Sequence, residues 1–485
     1  MSIGNAAFEC VRQGAHARMR IHVATSLRSV LALLFLPFAL VPAAAQTEGV
    51  QMRATDGARP SLRAVLTAAQ TAPPTEARRL RDRAALSDEE RRLVDALLLQ
   101  RDGDLAGSER ALRDLLAEDA SRRLVRFELA RVLIARERYT AARFQLDRLI
   151  ASEPDRRLRR VYAALDAEIS RRRPWDFSLS LRAAPSTNAN RGAEAETFQA
   201  GERTFTIDDV SRARSGIGFG YSASASRRFE PFGAPLYGPP SDALYVRAFV
   251  SGVHYEESAL RSNRVGVGAF WRHRFGLDGE EGAGGLFGPG AFTDVGVDVA
   301  RDYVAGTLFD GDLHADLVTP YLSVALPLGG RFSLSGRTAA SHVGYDDALL
   351  DDGWRGANDV ALTFAPQPGL SVTAFAAHSW ERSGREPNQY DGVSGGLSGY
   401  AELPWSVSAT LTGTVGRRDY RAPFPGAGFE REDRFWKVEA SFTKRDWALF
   451  GFAPRLSVSH EDQRSNVSFY TFTDTGANVS LSRSF

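Results

Sequence analysis

Cysteine is all but missing from this chain: Cys10 is the only one in 485 residues. That excludes a disulfide scaffold and any cysteine-based zinc or iron–sulfur site. A surplus of either charge is missing too. Lys+Arg number 60 against 59 Asp+Glu, a formal net of +1, which argues against a nucleic-acid binder working by bulk positive charge and against a disordered polyelectrolyte. The apolar run Val30 to Val41 falls short of the ~20 residues that a spanning helix needs. Catalytic motifs are also absent. His254, His342, His378 and His460 lie on separate segments, with no i,i+4 pair and no His-Glu-x-x-His run. Gly216-Ile217-Gly218-Phe219-Gly220 opens no helix, so it is not a phosphate loop, and its glycines are expected to serve strand curvature or close packing. Asp346, Asp347, Asp351 and Asp352 lack the EF-hand spacing and read as a solvated loop. The expectation is a protein that is not an enzyme, holds no cofactor or metal and binds no nucleic acid.

Among what is present, the N-terminus comes first. Arg18, Arg20 and Arg28 precede the short apolar run, which ends in Pro42-Ala43-Ala44-Ala45-Gln46. A basic region, about a dozen apolar residues and an Ala-x-Ala site make a secretory signal peptide. Residues 1–45 are therefore expected to be removed near Ala45, with 46–59 as a linker, and Cys10 leaves with the signal. An exported chain without cysteine points to a bacterial envelope.

Residues 60–173 are rich in Arg, Leu, Ala and Glu, and apolar residues recur at helical spacing: Leu93, Ala96, Leu97; Leu112, Leu115, Leu116; Leu129, Val132, Leu133. A shift of 34 residues lays Leu93 on Phe127, Ala96 on Ala130, Leu112 on Leu146 and Leu115 on Leu149, and a half-repeat continues at Val161, Ala164 and Ala167. That is the tetratricopeptide (TPR) period, in which each helix pair buries its face on the next. The copy at 123–156 has small Ala130 and Ala142 at close helix contacts and Pro154 ending its second helix, but Arg126 stands where the repeat often has Trp. A generic stack of helical hairpins is the blander alternative. In this register Phe127, Arg131 and Ile134 would face a concave groove suited to a client, or simply pack.

At Pro174-Trp175 the period changes from 3.6 to 2. Ser406, Ser408, Thr410, Thr412 and Thr414 alternate with Val407, Ala409, Leu411, Gly413 and Val415, and Val295, Val297 and Val299 alternate with Asp294 and Asp298. About fourteen such segments follow to the C-terminus. Pro327 to Gly330, Ala365 to Gly369, Glu402 to Pro404 and Lys444 to Asp446 read as tight turns. They alternate with longer polar stretches at 346–354, 382–389, 421–432 and 464–470. Short periplasmic turns and long outer loops are the pattern of an outer-membrane barrel. Two earlier connections, 230–242 and 276–290, break it by being long on the periplasmic side. Closure follows from physics: in hydrocarbon each unpaired backbone group costs several kcal/mol, and only a cylinder pairs them all. The fold class is thus α + β multidomain, a TPR-like helical domain followed by an approximately 14-stranded antiparallel transmembrane β-barrel over 174–485. An even strand number puts both barrel ends on one side, which the signal and the helical domain make the periplasm.

The last strand, with Val479, Leu481 and the terminal Phe485, resembles the signal read by the barrel-assembly machinery. The order of parts, together with Ala184-Pro185-Ser186-Thr187-Asn188-Ala189-Asn190 after the first strand, is similar to the surface lipoprotein assembly modulator family. Pro185, Asn188 and Asn190 carry that family mark, although Ala189 is smaller than the residue usual between the two asparagines. The resemblance implies an outer-membrane translocator that delivers lipoproteins, or secreted haem- and iron-binding proteins, to the cell surface. Its implied partners are a client surface lipoprotein or secreted protein, the barrel-assembly machinery during insertion, and membrane lipid. The rival reading is a solute-diffusion porin with a periplasmic helical anchor.

Overall fold

The computed structural model describes residues 60–200, 203–230, 242–275, 289–304, 313–329, 331–346, 352–425, 428–444, 447 and 452–484. The expected signal and linker, Phe485, Asp347, Asp351, the turn at Arg445-Asp446 and most of the two long periplasmic connections lie outside the described residues.

Helices come first: α1 Leu62–Thr71, α2 Pro74–Arg83, α3 Asp88–Arg101, α4 Leu105–Glu118, α5 Arg123–Ala135, α6 Tyr139–Ser152 and α7 Arg156–Arg172. Local chemistry sets several boundaries. Ser87 and Glu90 form a reciprocal capping box at the start of α3, and the Asp104 carboxylate accepts from the Gly107 N–H at 2.8 Å to start α4. Most of the residues predicted at helical spacing form one core, with Leu112, Leu115, Leu133, Leu146 and Leu149 sealed from solvent, while Leu97 joins a second with Val65, Ala69 and Val94. Each such side chain contributes about 1.5–3 kcal/mol by leaving water. One position departs from the expectation. Val161 is 46% exposed, and Tyr162 and Ala163 turn inward instead. The Tyr162 ring packs on Phe127 at 5.4 Å, so the larger aromatic takes the inward place and rotates the apolar stripe of α7 by one residue.

The chain then closes a barrel of fourteen strands, each antiparallel to the next in sequence. They are β1 Trp175–Ser186, β4 Gly216–Phe229, β5 Asp242–His254, β6 Ser262–Arg274, β7 Phe292–Val304, β8 Leu313–Gly329, β9 Phe332–Tyr345, β10 Gly353–Gln367, β11 Leu370–Ser383, β12 Tyr390–Leu403, β13 Val407–Pro423, β14 Glu430–Lys444, β15 Ala453–Ser465 and β16 Phe472–Ser484. A hairpin of β2 Thr197–Ala200 and β3 Arg203–Thr206, which the sequence reading lacks, sits in the loop after β1. Closure is made by β1 against β16, with Leu181 opposite Leu481 and Ala183 opposite Val479. The ladder skips Ala184 and Pro185, the latter with no N–H to give, and resumes at Ser186 opposite Gly476.

Alternation sorts the two faces. Val295, Val297, Val299, Leu411, Val415, Val479 and Leu481 point outward and are exposed. Asp294, Asp298 and Asp302 point into the lumen, where Arg272, Arg247 and Arg264 on neighbouring strands pair with them. All seven tryptophans lie in the barrel. Trp175, Trp271, Trp405 and Trp447 sit towards the end near the helices, and Trp354, Trp380 and Trp436 towards the other, the two aromatic girdles of a membrane barrel. Among the described residues no helix is long and apolar enough to cross a membrane.

Candidate functional site

The helical domain lies over one end of the barrel, touching the rim from several sides. The centre of this contact is Arg126 on α5, whose guanidinium is fully buried. It donates to the Ala120 carbonyl at 2.7 Å, to Gln145 at 2.6 Å and to both carboxylate oxygens of Glu402 at 2.9 and 3.4 Å. Glu402 ends β12 on the lumen side and its side chain is only 2% exposed. Two charges withdrawn from water are tolerable because they face each other in a fork, with both terminal nitrogens of the guanidinium engaged. Arg148 on α6 stacks over the lumen-facing Tyr400 ring at 4.1 Å and approaches Glu402 at 3.8 Å.

Other contacts ring the opening. Arg143 reaches Asp176 of β1 at 3.2 Å, and Arg274 at the end of β6 reaches Asp166 and Ser170 of α7 at 3.2 and 3.1 Å. At the β10–β11 turn Gly369 has φ +84°, and a Cβ there would lie 3.3 Å from the Ala120 Cβ, so glycine serves both the turn and the close approach of the helices. Two cavities remain between the layers. One of about 380 Å³ is lined by Arg143, Asp147, Asp166, Tyr245 and Arg274. The other, about 690 Å³, runs between Arg138, Tyr139 and Phe144 on the helices and Ser408, Thr410 and Arg455 on the lumen wall. Asp147 borders the smaller cavity and is exposed along that side while protein crowds its others. Burial, then the nearby Asp166 charge, pushes its carboxyl up to about 6. Glu128 is likewise raised by burial, partly offset by Arg131 and Gln70. Glu109, equally buried within α4, is held below the usual range because Arg113, Arg136 and Arg138 converge on it and outweigh the desolvation.

The three groove residues share a face of α5 but are not equally free. Phe127 and Ile134 are half-buried against the helical core, and Arg131 pairs with Glu128 at 3.0 Å. The residues carrying the family mark sit at the opposite end of the barrel, across the β1–β16 closure. Asn188 is buried, accepts from the Gly192 N–H at 2.8 Å and donates to the carbonyls of Gly192 and Thr473 at 3.0 and 3.2 Å. Asn190 donates to the Arg212 carbonyl at 2.7 Å and accepts from the Arg214 N–H at 2.9 Å. Ser186 and the Asn188 N–H both bond Asp474 on β16, at 2.7 and 3.1 Å. Asn188 thus clips the first outer loop onto the last strand just after Pro185, while Asn190 ties that loop to itself. The β2–β3 hairpin of that loop reaches across the rim, its Phe198 packing on Phe424 and Phe469 at 6.3 and 5.6 Å. The four histidines remain apart, each with its own neighbours. His254 bonds Asn263 at 2.8 Å, His342 meets the Trp354 ring, His378 lies 3.6 Å from Asp391 and His460 bonds Thr475 at 2.7 Å. In the acidic loop Asp346 pairs with His314 and Asp352 accepts from the Tyr345 N–H.

A closed cylinder with an apolar outside, a charged lumen and a helical-repeat domain over its periplasmic mouth defines an outer-membrane barrel of the transport and assembly class. Residues 322–485 match the surface lipoprotein assembly modifier family and residues 99–165 match the tetratricopeptide repeat, in line with the resemblance seen in the sequence. No curated relative matches the chain. Solved structures of similar outline include a loop-deletion mutant of the outer membrane protein OmpT of Vibrio cholerae (10% identity, 64% of this chain and 99% of that one, TM-score 0.33). Others are a FadL homologue of Pseudomonas aeruginosa (9%, 64% and 90%, 0.33) and the outer membrane channel DcaP of Acinetobacter baumannii (12%, 64% and 96%, 0.34). These likenesses are weak, and the barrel assignment rests on the closed strand ladder itself.

Proposed function

We infer that this protein is an outer-membrane translocator that takes lipoproteins, or secreted haem- and iron-binding proteins, to the cell surface. The helical repeats receive the client and the barrel passes it outward. The observation that carries this reading is the buried Arg126–Glu402 pair, which ties the receiving domain to the lumen wall. A client that engages the helices near Phe127, Arg131 and Ile134 competes with the docked arrangement, and displacing it uncovers the mouth. The periplasm has no ATP, so binding and folding of the client outside drive the transfer. The clip at Ser186 and Asn188 holds the outer end of the β1–β16 seam shut, which favours the lumen over lateral release. Val479, Leu481 and Phe485 serve the barrel-assembly machinery on insertion. Deletion of residues 60–173 abolishes surface display of a client lipoprotein while the barrel still inserts. Undiminished display overturns the docking role.

A further inference from the structure

The outer face of the barrel carries a row of three arginines that nothing in the transport reading uses. Strand register places Arg417 of β13 opposite Arg434 of β14, and Arg434 opposite Arg464 of β15. All three point away from the lumen and are exposed, because their neighbours Arg418, Phe435 and Gln463 occupy the inner face, where Arg418 stacks on Phe435 and bonds Gln463 at 3.2 Å. Like charges directly opposite on adjacent strands repel. Asp419 neutralises Arg417 at 3.1 Å and Asp462 neutralises Arg464 at 2.8 Å, yet Arg434 in the middle has no ion-pair partner among the described residues.

The height of the row identifies its environment. Beneath it on the same face lie Val415 and Trp436, then Val438, Leu411, Val458 and finally Phe442 and Leu456. From Phe442 to Arg434 a tilted strand climbs roughly 20 Å, close to the depth of the apolar band of an outer-membrane barrel. The arginines therefore sit at the level of the outer-leaflet headgroups, with Trp436 at the boundary. An open groove of about 700 Å³ on the outer wall joins the row to the apolar surface, lined by Val393, Val415, Arg417, Arg434, Trp436 and Arg464. Guanidinium forks above a hydrocarbon-facing groove match a phosphate carried on acyl chains.

We propose that Arg417, Arg434 and Arg464 form a binding site for the phosphorylated glycolipid of the outer leaflet, its phosphate on the arginine row and its acyl chains along Val393, Val415 and Trp436. The test uses the purified full chain in detergent and reads bound lipid by native mass spectrometry. The probes are lipid A with its phosphates, the same glycolipid without them, and inorganic phosphate as competitor. Phosphorylated lipid A is expected to be retained at least about tenfold better than the dephosphorylated form, and millimolar phosphate should not displace it. Equal retention of the two lipids overturns the proposal, as does full displacement by inorganic phosphate, which marks a plain anion site. Replacing all three residues, Arg417→Gln, Arg434→Gln and Arg464→Gln, should abolish the preference, and a preference that survives overturns the assignment. Where the triple variant fails to assemble, Arg434→Gln alone suffices, since that side chain has no carboxylate to abandon.

Discussion

At the scale of single residues, the most consequential side chain is one that sequence patterning treats as an error. Arg126 stands where a TPR helix often has Trp, and its partner Glu402 lies at the end of β12, 276 residues further along the chain, so nothing local announces the pair. Pattern reading finds residues that repeat, and a buried ion pair between domains does not repeat. Arg126→Ala leaves buried Glu402 with only the more distant Arg148, at 3.8 Å, which should cost up to about 3–5 kcal/mol of docking. Limited proteolysis of the helical domain in the assembled protein reports it. Arg126→Met combined with Glu402→Leu should recover much of the loss, because removing both charges also removes the desolvation cost. Asp147 offers a pH-dependent counterpart. Its carboxyl is pushed up to about 6, so the docked state favours the protonated form. The stabilisation is fully present below the ordinary aspartate value and is lost as pH rises through about 6. Asp147→Asn should therefore raise the unfolding temperature of the helical domain at pH 7.5, with the difference shrinking below pH 6 and vanishing near pH 4. A pH-independent difference contradicts this.

At the scale of elements, strands were readable because each has one wet and one greasy face. Val295, Val297 and Val299 against Asp294 and Asp298 show period 2 without any knowledge of neighbours, and the lumen pairs with Arg247 and Arg272 explain why the polar stripe is ionic. The β2–β3 hairpin escaped because four-residue strands are too short to display a period. The glycines at 216–220 were read as allowing close packing. The structure gives the reason: a Cβ on Gly220 would collide with the Arg182 side chain in the lumen. The asparagines after β1 are legible only as a mark, since Asn188 bonds a strand at the other end of the chain and Asn190 bonds the far side of its own loop. Asn188→Ala should leave the Gly192 N–H and the Thr473 carbonyl without this partner, at about 1–3 kcal/mol for each group left unsatisfied. Hydrogen exchange should then quicken in β1 and β16 near Ser186 and Gly476 while the β10–β11 ladder stays protected. Unchanged exchange at the seam contradicts the clip.

At the scale of the whole molecule, the order of parts was legible because the change from a 3.6 to a 2 period is abrupt. How the parts dock was not, because the contact is built from scattered polar residues such as Arg143, Asp166, Asp176 and Arg274, each of which reads in isolation as a solvated charge. That docking also separates a translocator from a porin. A porin with a periplasmic anchor keeps its mouth open, whereas here the helices lie across it and hold it by a buried ion pair. Single-channel recording in planar bilayers examines this most directly. The intact chain should show a closed baseline, and either Arg126→Ala with Glu402→Ala or removal of residues 60–173 should yield a steady open conductance. A steady pore from the intact chain, equal to that of the deletion, contradicts the account.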